Sequence, residues 1–235
     1  MGARDLKASG LNFKDGVFSI SSFSNITNAL VHSHLKHANG KRVVVFRPEQ
    51  PHLTDLQLLD QTISSKIFCQ VGFIATDVIV PKHQVDANEI FSREDNSEDE
   101  IVSLTIKTYT ESFAMRWEES LGVAANAENI KLLKSLPEGK ISLLIFEKNE
   151  PIGMITVYPD EDCCGNKLLQ VAWVWVCEHI SDESRKTVHF HIAEWIKKKS
   201  EGNLIQAGIH LKNFRSQMFF SKLGFEPACI HCRVP

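Results

Sequence analysis

Asn213-Phe214-Arg215-Ser216-Gln217-Met218-Phe219-Phe220-Ser221-Lys222-Leu223-Gly224-Phe225 is the stretch whose reading decides the fold. Phe214, Met218 and Phe219 recur at helical spacing, Asn213 stands where a cap belongs, and Gly224 stands where a helix stops. A short helix over 213–222 is expected, followed by a last strand over 225–234. Working backwards, 204–211 reads as a strand. Ser181-Asp182-Glu183 is a helix-start signal, and Val188, Ile192 and Trp195 follow at i, i+4, i+7 until Gly202 closes the helix. The run 168–177 is too rich in β-branched and aromatic residues for a good helix and suits a central strand. Before it, 141–147 and 152–158 form a hairpin about Lys148-Asn149-Glu150-Pro151. Two helices, over 98–117 and 126–135, come first, the second broken at Pro137-Glu138-Gly139. Strands alternating with helices predict an α/β fold with a mixed, partly parallel central sheet flanked by helices.

The N-terminal part reads as strand 17–21, helix 25–38, strand 42–46, helix 53–69 and strand 73–80, the order found again over 168–234. Ile67-Phe68-Cys69-Gln70-Val71-Gly72-Phe73 also lies parallel in sequence to Phe219-Phe220-Ser221-Lys222-Leu223-Gly224-Phe225. An internal duplication of a half-domain follows, two unrelated α/β segments being the alternative. Between the halves, 91–100 is charged enough to read as an exposed linker. The expected division is therefore 1–90, a linker at 91–100, and 101–235.

The chain of 235 residues carries a net charge of -3, which argues against a nucleic-acid binder needing a basic surface. Lys197, Lys198 and Lys199 read as the solvated last turn of a helix, where cations suit the dipole. The N-terminus has no apolar leader, no apolar run nears a membrane span, and Leu6 stands where a myristoylation signal wants Ser or Thr, so a cytoplasmic location is expected. The six cysteines read as free thiols. Cys229-Ile-His-Cys232 is a single knuckle on a strand, where positions three apart point to opposite faces, and no metal is expected.

Asn213-x-x-Ser216-x-x-Phe219-Phe220-x-Lys222-Leu223-Gly224-Phe225 resembles the closing motif of the GNAT superfamily of acyltransferases, and the hairpin over 145–157, with Gly153 after its turn, resembles that family's central hairpin. The likeness covers roughly 98–235, and it makes the N-terminal part a degenerate half-GNAT subdomain. The whole chain is more loosely similar to the dTDP-fucosamine acetyltransferase type, through 70–81 and through Thr110-Glu-Ser-Phe-Ala-Met-Arg116. The resemblance implies that Val176 and Glu178 bond the pantetheine arm of an acyl-CoA through their backbone. It implies pyrophosphate over Arg185, Lys186, Thr187 and Val188 at the next helix N-terminus, and places Asn213, Ser216 and Phe220 on the donor side.

Two departures stand out. The family pattern Arg/Gln-x-x-Gly-x-Gly/Ala meets Arg185-Lys-Thr-Val188-His-Phe190, so both small residues are replaced by bulk, and Arg185 and Lys186 are left to supply charge. Phe220 stands where many members have a proton-donating Tyr, and Ala172 or Val174 where a Glu base is common. His210 is then the first choice of general base, with Glu178 and His179 as the remaining titratable candidates. What the resemblance implies is an N-acyltransferase moving an acetyl or other acyl group to a small-molecule primary amine, such as an amino sugar or amino acid. The co-substrate is acetyl-CoA or another acyl thioester, with an acyl carrier protein and a homodimer among the partners admitted. The alternative is a non-catalytic binding protein on the same fold. Trp173 and Trp175 read as sheet core, with an apolar acyl tunnel as the other use.

Overall fold

A computed structural model of the chain describes residues 11–14, 17–20, 42–46, 68–82, 90–95, 98–110, 139–161 and 167–233. The fold is mixed α/β, and the order of strands and helices after Ile141 is the one expected. The chain divides into two compact units, one built from Met1–Ile74 with Ala207–Pro235 and the other from Ala75–Gln206.

The unit Ala75–Gln206 is built on an antiparallel meander. Its strands are β5 (Ile90–Asp95), β6 (Ile141–Glu147), β7 (Glu150–Glu161) and β8 (Lys167–Val176), paired in that order. Lys148 and Asn149 both have positive φ, 51° and 69°, the two-residue turn whose twist matches a hairpin. Side chains alternate across the sheet. Leu144, Phe146 and Met154 face Ile101 of helix α1 (Glu98–Thr108), with Leu104, Trp173 and Trp175 packed against that cluster. On the other face, helix α2 (Asp182–Ser200) buries Val188, Ile192, Ala193 and Ile196 completely. Each of the valine and isoleucine side chains contributes roughly 1.5–3 kcal/mol of burial. Between the layers, Ser142 Oγ and Thr156 Oγ1 satisfy each other at 2.7 Å, both fully buried.

Residues 91–95 of the stretch read as a linker belong to β5 (Ile90–Asp95), because the charges there have partners. Arg93 lies over the Phe146 ring and pairs with Glu100 at 2.8 Å and Asp95 at 3.2 Å. Glu94 accepts from Lys199 Nζ at 2.9 Å and from Trp195 Nε1 at 3.0 Å. The last turn of α2 is accordingly tied down rather than simply solvated, and Lys197 reaches Asp77 at 2.9 Å and the Val78 carbonyl at 3.2 Å. Helix α1 passes after Thr108 into a wider helical turn at Tyr109 and Thr110, and the rest of the helix expected over 98–117 lies outside the described residues. The helix expected over 126–135 lies outside the described residues.

In the other unit, β1 (Leu11–Lys14) and β2 (Val17–Ile20) form a hairpin, and β2 runs parallel to β3 (Arg42–Phe46). The chain's last strand, β10 (Glu226–Arg233), lies between β3 and β4 (Phe68–Ala75), antiparallel to both. Cys229 pairs with Phe46 on one side and Gly72 on the other, next to a register shift between Pro227 and Cys229. The strand expected over 73–80 is thus β4, five residues earlier, and Gly72 is a strand residue rather than a helix stop. The sequence match between 67–73 and 219–225 pairs a strand with a helix end. The helix expected over 25–38 lies outside the described residues, as does that expected over 53–69 except for Phe68 and Cys69, which are strand. This unit also holds helix α3 (Phe214–Lys222), preceded by β9 (Leu204–His210), whose residues from Ala207 belong here.

Candidate acyl-donor residues

The candidate residues fall into two groups, Val176 to Val188 in the unit Ala75–Gln206 and His210 to Phe220 in the other. Each is described by itself.

In the first group, β8 ends at Val176, opposite Gly153 of β7, and the Cys177 N–H donates to the Ile152 carbonyl at 2.8 Å. The chain turns through Glu178 and His179, both exposed, to Ser181. Ser181 is extended (φ -62°, ψ 158°), and its Oγ accepts from the Ser184 N–H at 3.0 Å, a regular N-cap. The Arg185 N–H already donates to the Ser181 carbonyl at 2.9 Å. The stretch Arg185–Phe190 is therefore helix, not loop, and its later N–H groups are committed to carbonyls four residues back. The cause is local: a serine cap with Asp182 and Glu183 at the positive end of the dipole starts the helix early.

The side chains follow from that placement. Val188 turns onto the sheet, where a Cβ on Gly153 would come within 2.6 Å of its Cγ1. Thr187 Oγ1 donates to the Glu183 carbonyl at 3.1 Å. Lys186 pairs with Glu183 at 3.2 Å with both side chains about two-thirds exposed, an ion pair of little energy. Arg185 folds back, its guanidinium donating to the Glu178 carbonyl at 3.1 Å and the Cys177 carbonyl at 3.5 Å. The helix end has an anionic partner in Glu147, whose carboxylate accepts from Ser184 Oγ at 2.6 Å. A pyrophosphate needs helix N–H groups and cations turned towards it. Here the first turn presents Asp182, Glu183 and the bonded Glu147, and these residues do not fit that group.

In the second group, His210 ends β9 and is 7% exposed. Its Nδ1 accepts the Lys212 N–H at 3.2 Å, which leaves the ring proton on Nε2. Burial, then the Lys212 charge, lowers its pKa from 6.5 to about 4, so the imidazole is neutral near pH 7. Asn213 Oδ1 accepts from the Ser216 N–H at 3.1 Å, so both residues serve the cap of α3. Phe220 is 1% exposed and packs edge-on against Phe219 at 5.1 Å and Phe225 at 5.0 Å. The Phe225 N–H donates to the Phe220 carbonyl and the Gly224 N–H to that of Ser221, with Gly224 at φ 85°. That is a Schellman stop with its hydrophobic contact.

Three residues that carry this geometry were not singled out from sequence. Glu147 and Ser184 meet only because the hairpin end lies over the helix start. Gln217 is 1% exposed, and its Nε2 donates to the Leu211 carbonyl at 2.7 Å, fixing α3 to the end of β9. Its place in the Asn213–Phe225 motif was the available signal. Among the described residues no three His, Cys, Asp or Glu side chains group as metal ligands would, and no helix is long and apolar enough to cross a membrane.

No protein-family model matches the chain, and no curated protein matches it. Solved structures do. A GCN5-related N-acetyltransferase from Kribbella flavida is 13% identical, over 93% of this chain and 80% of that one, with a TM-score of 0.47. A tandem GNAT protein from the clavulanic acid biosynthesis pathway is 13% identical, over 94% and 77%, with a TM-score of 0.42. An aminoglycoside N-acetyltransferase in complex with CoA is 13% identical, over 64% and 93%, with a TM-score of 0.38. None of them supports the narrower likeness to dTDP-fucosamine acetyltransferases. The chain is similar in structure to GNAT acetyltransferases, one of them tandem, at a level that says nothing of substrate or activity.

Proposed function

We propose that the protein is an N-acyltransferase that moves a short acyl group from a thioester to a small-molecule primary amine. The observation that carries this reading is the element order from β6 to β10, with α2 opening from the end of β8 and α3 closed by its Asn213 cap and Schellman stop. In the reaction the amine lone pair forms the C–N bond at the thioester carbonyl. The C–S bond then breaks, the thiolate leaves with its electron pair, and the surplus ammonium proton passes to solvent or to the thiolate. Much of the acceleration in such a reaction comes from holding the two reactants together. His210 enters as a neutral group that donates from Nε2, because Nδ1 is already accepting.

The test is thiol release. Acetyl thioesters of CoA and of pantetheine are incubated with pools of amino sugars and amino acids, and free thiol is read colorimetrically. Release above background with one acceptor class supports the reading, and none with any pair sinks it. A non-catalytic binding protein is the second reading, favoured by Phe220, a fully packed side chain without a hydroxyl. It predicts a ligand that binds without turnover.

A further inference from the structure

We propose that the N-terminus of α2 is closed to phosphate, and that the acyl donor is a thioester recognised without a nucleotide diphosphate, such as that of a bare pantetheine-type thiol. The choice of donor rests on the acyl-transfer reading above; the closure of the helix end does not.

Three features close it. The first is backbone. Because Ser181 caps the helix, the Ser184 N–H, one of the first-turn donors that a helix leaves unpaired, is held by Ser181 Oγ, and from Arg185 onward the N–H groups bond within the helix. The second is charge. Asp182 and Glu183 occupy the first turn, and Glu147 reaches Ser184 Oγ at 2.6 Å. An internal carboxylate thus takes the stabilisation that a helix offers an anion, and an incoming diphosphate meets like charge. The third is packing. Val188 is fully buried with its Cγ1 against the Gly153 backbone, so α2 sits against β7 as closely as a glycine permits and cannot shift inward to uncover its end. Of the cations nearby, Arg185 is engaged on the Glu178 and Cys177 carbonyls, and Lys186 is paired at the surface with Glu183, a carboxylate of the same turn. Two donors that differ only in the phosphorylated nucleotide are therefore equivalent to this helix end.

The experiment uses the full chain and two readouts. Calorimetry compares CoA with pantetheine. Backbone amide spectra follow residues 181–186 as inorganic pyrophosphate and adenosine 3′,5′-bisphosphate are added. The expected result is CoA and pantetheine affinities within about threefold of each other, with those amide signals unmoved at millimolar anion. CoA binding tenfold or more tighter than pantetheine, or saturable shifts at 181–186, overturns the proposal. If neither thiol binds and the amides stay still, the helix end is closed as proposed and the acyl-transfer reading is what falls. Glu147→Gln keeps a hydrogen-bond acceptor for Ser184 and checks that the helix end stays folded when the charge is removed.

Discussion

Replacing Gly153 by Ala puts a methyl where Val188 already is. The added Cβ would lie 2.6 Å from Val188 Cγ1, roughly an ångström inside ordinary contact, with the Ile145 Cδ1 3.5 Å away on the other side. Gly153 does not have a left-handed φ, so alanine suffers no backbone strain there and the cost is steric. Nor can the neighbour yield easily: Val188 is β-branched, fully buried and set in the second turn of α2. Overpacking of this kind costs about 1–3 kcal/mol. Val188→Ala alone removes two methyl groups from the core and costs about 1.5–2.5 kcal/mol. In the double variant the new methyl moves into the space vacated, so its cost stays near that of Val188→Ala alone, a coupling of about 1–3 kcal/mol. The assay is urea unfolding followed by tryptophan fluorescence. All four tryptophans, at 117, 173, 175 and 195, fall within Ala75–Gln206, so the signal reads the unit that holds the contact. A Gly153→Ala cost under about 0.5 kcal/mol, or additive single costs, would refute the close seating of α2 on β7.

Three further outcomes are expected. His210 has a folded pKa near 4 against 6.5 unfolded, so the unfolded chain takes the extra proton. Its contribution is full above pH 6.5 and is lost as pH falls through 6.5 towards 4, roughly 3 kcal/mol in all. Thermal unfolding by circular dichroism across that window should show a shallower acid slope in His210→Gln than in wild type, and equal slopes would contradict the buried neutral ring. Ser142→Ala strands the Thr156 hydroxyl in the core and should cost about 1–3 kcal/mol, while Ser142→Ala with Thr156→Val costs less than the single change, by denaturant midpoints. Gly224→Ala forces a Cβ into φ 85° at the end of α3 and should cost about 1–2 kcal/mol; a neutral change in melting temperature would mean the Schellman stop is dispensable.

How much of this was legible in the sequence depends on how local each cause is. The start of α2 was readable because Ser181-Asp182-Glu183 acts on its own backbone, and α3 was readable because its cap, glycine and aromatic pair are neighbours in sequence. The strand β5 was not, since Arg93, Glu94 and Asp95 look like a solvated charge run until Lys199, Trp195 and the Phe146 ring are brought to them. Nor was β4, whose partner strand comes from the far end of the chain; pairing between residues 68–74 and 226–233 leaves no short-range signature.

The candidate site separates along the same line. The Asn213–Phe225 pattern that carries the family resemblance is accounted for, residue by residue, as a capped helix with a Schellman stop. It speaks for a helix of fixed length between two strands, and a protein can keep it whatever ligand it binds. The stretch Arg185–Phe190 is the reverse case. Its glycines are absent, and the structure gives a physical reason for tolerating their loss: the helix begins three residues before Arg185, Val188 fills the space against Gly153, and Glu147 is bonded to the Ser184 hydroxyl at the helix end. These changes are mutually consistent. A valine at 188 needs a glycine at 153, and a serine cap at 181 is what brings Ser184 to Glu147. Such agreement among separate residues is consistency across levels, each side chain fitting the choice made at the next. On the proposed closure, chemistry on this fold is to be sought first with donors that ask nothing of that helix end.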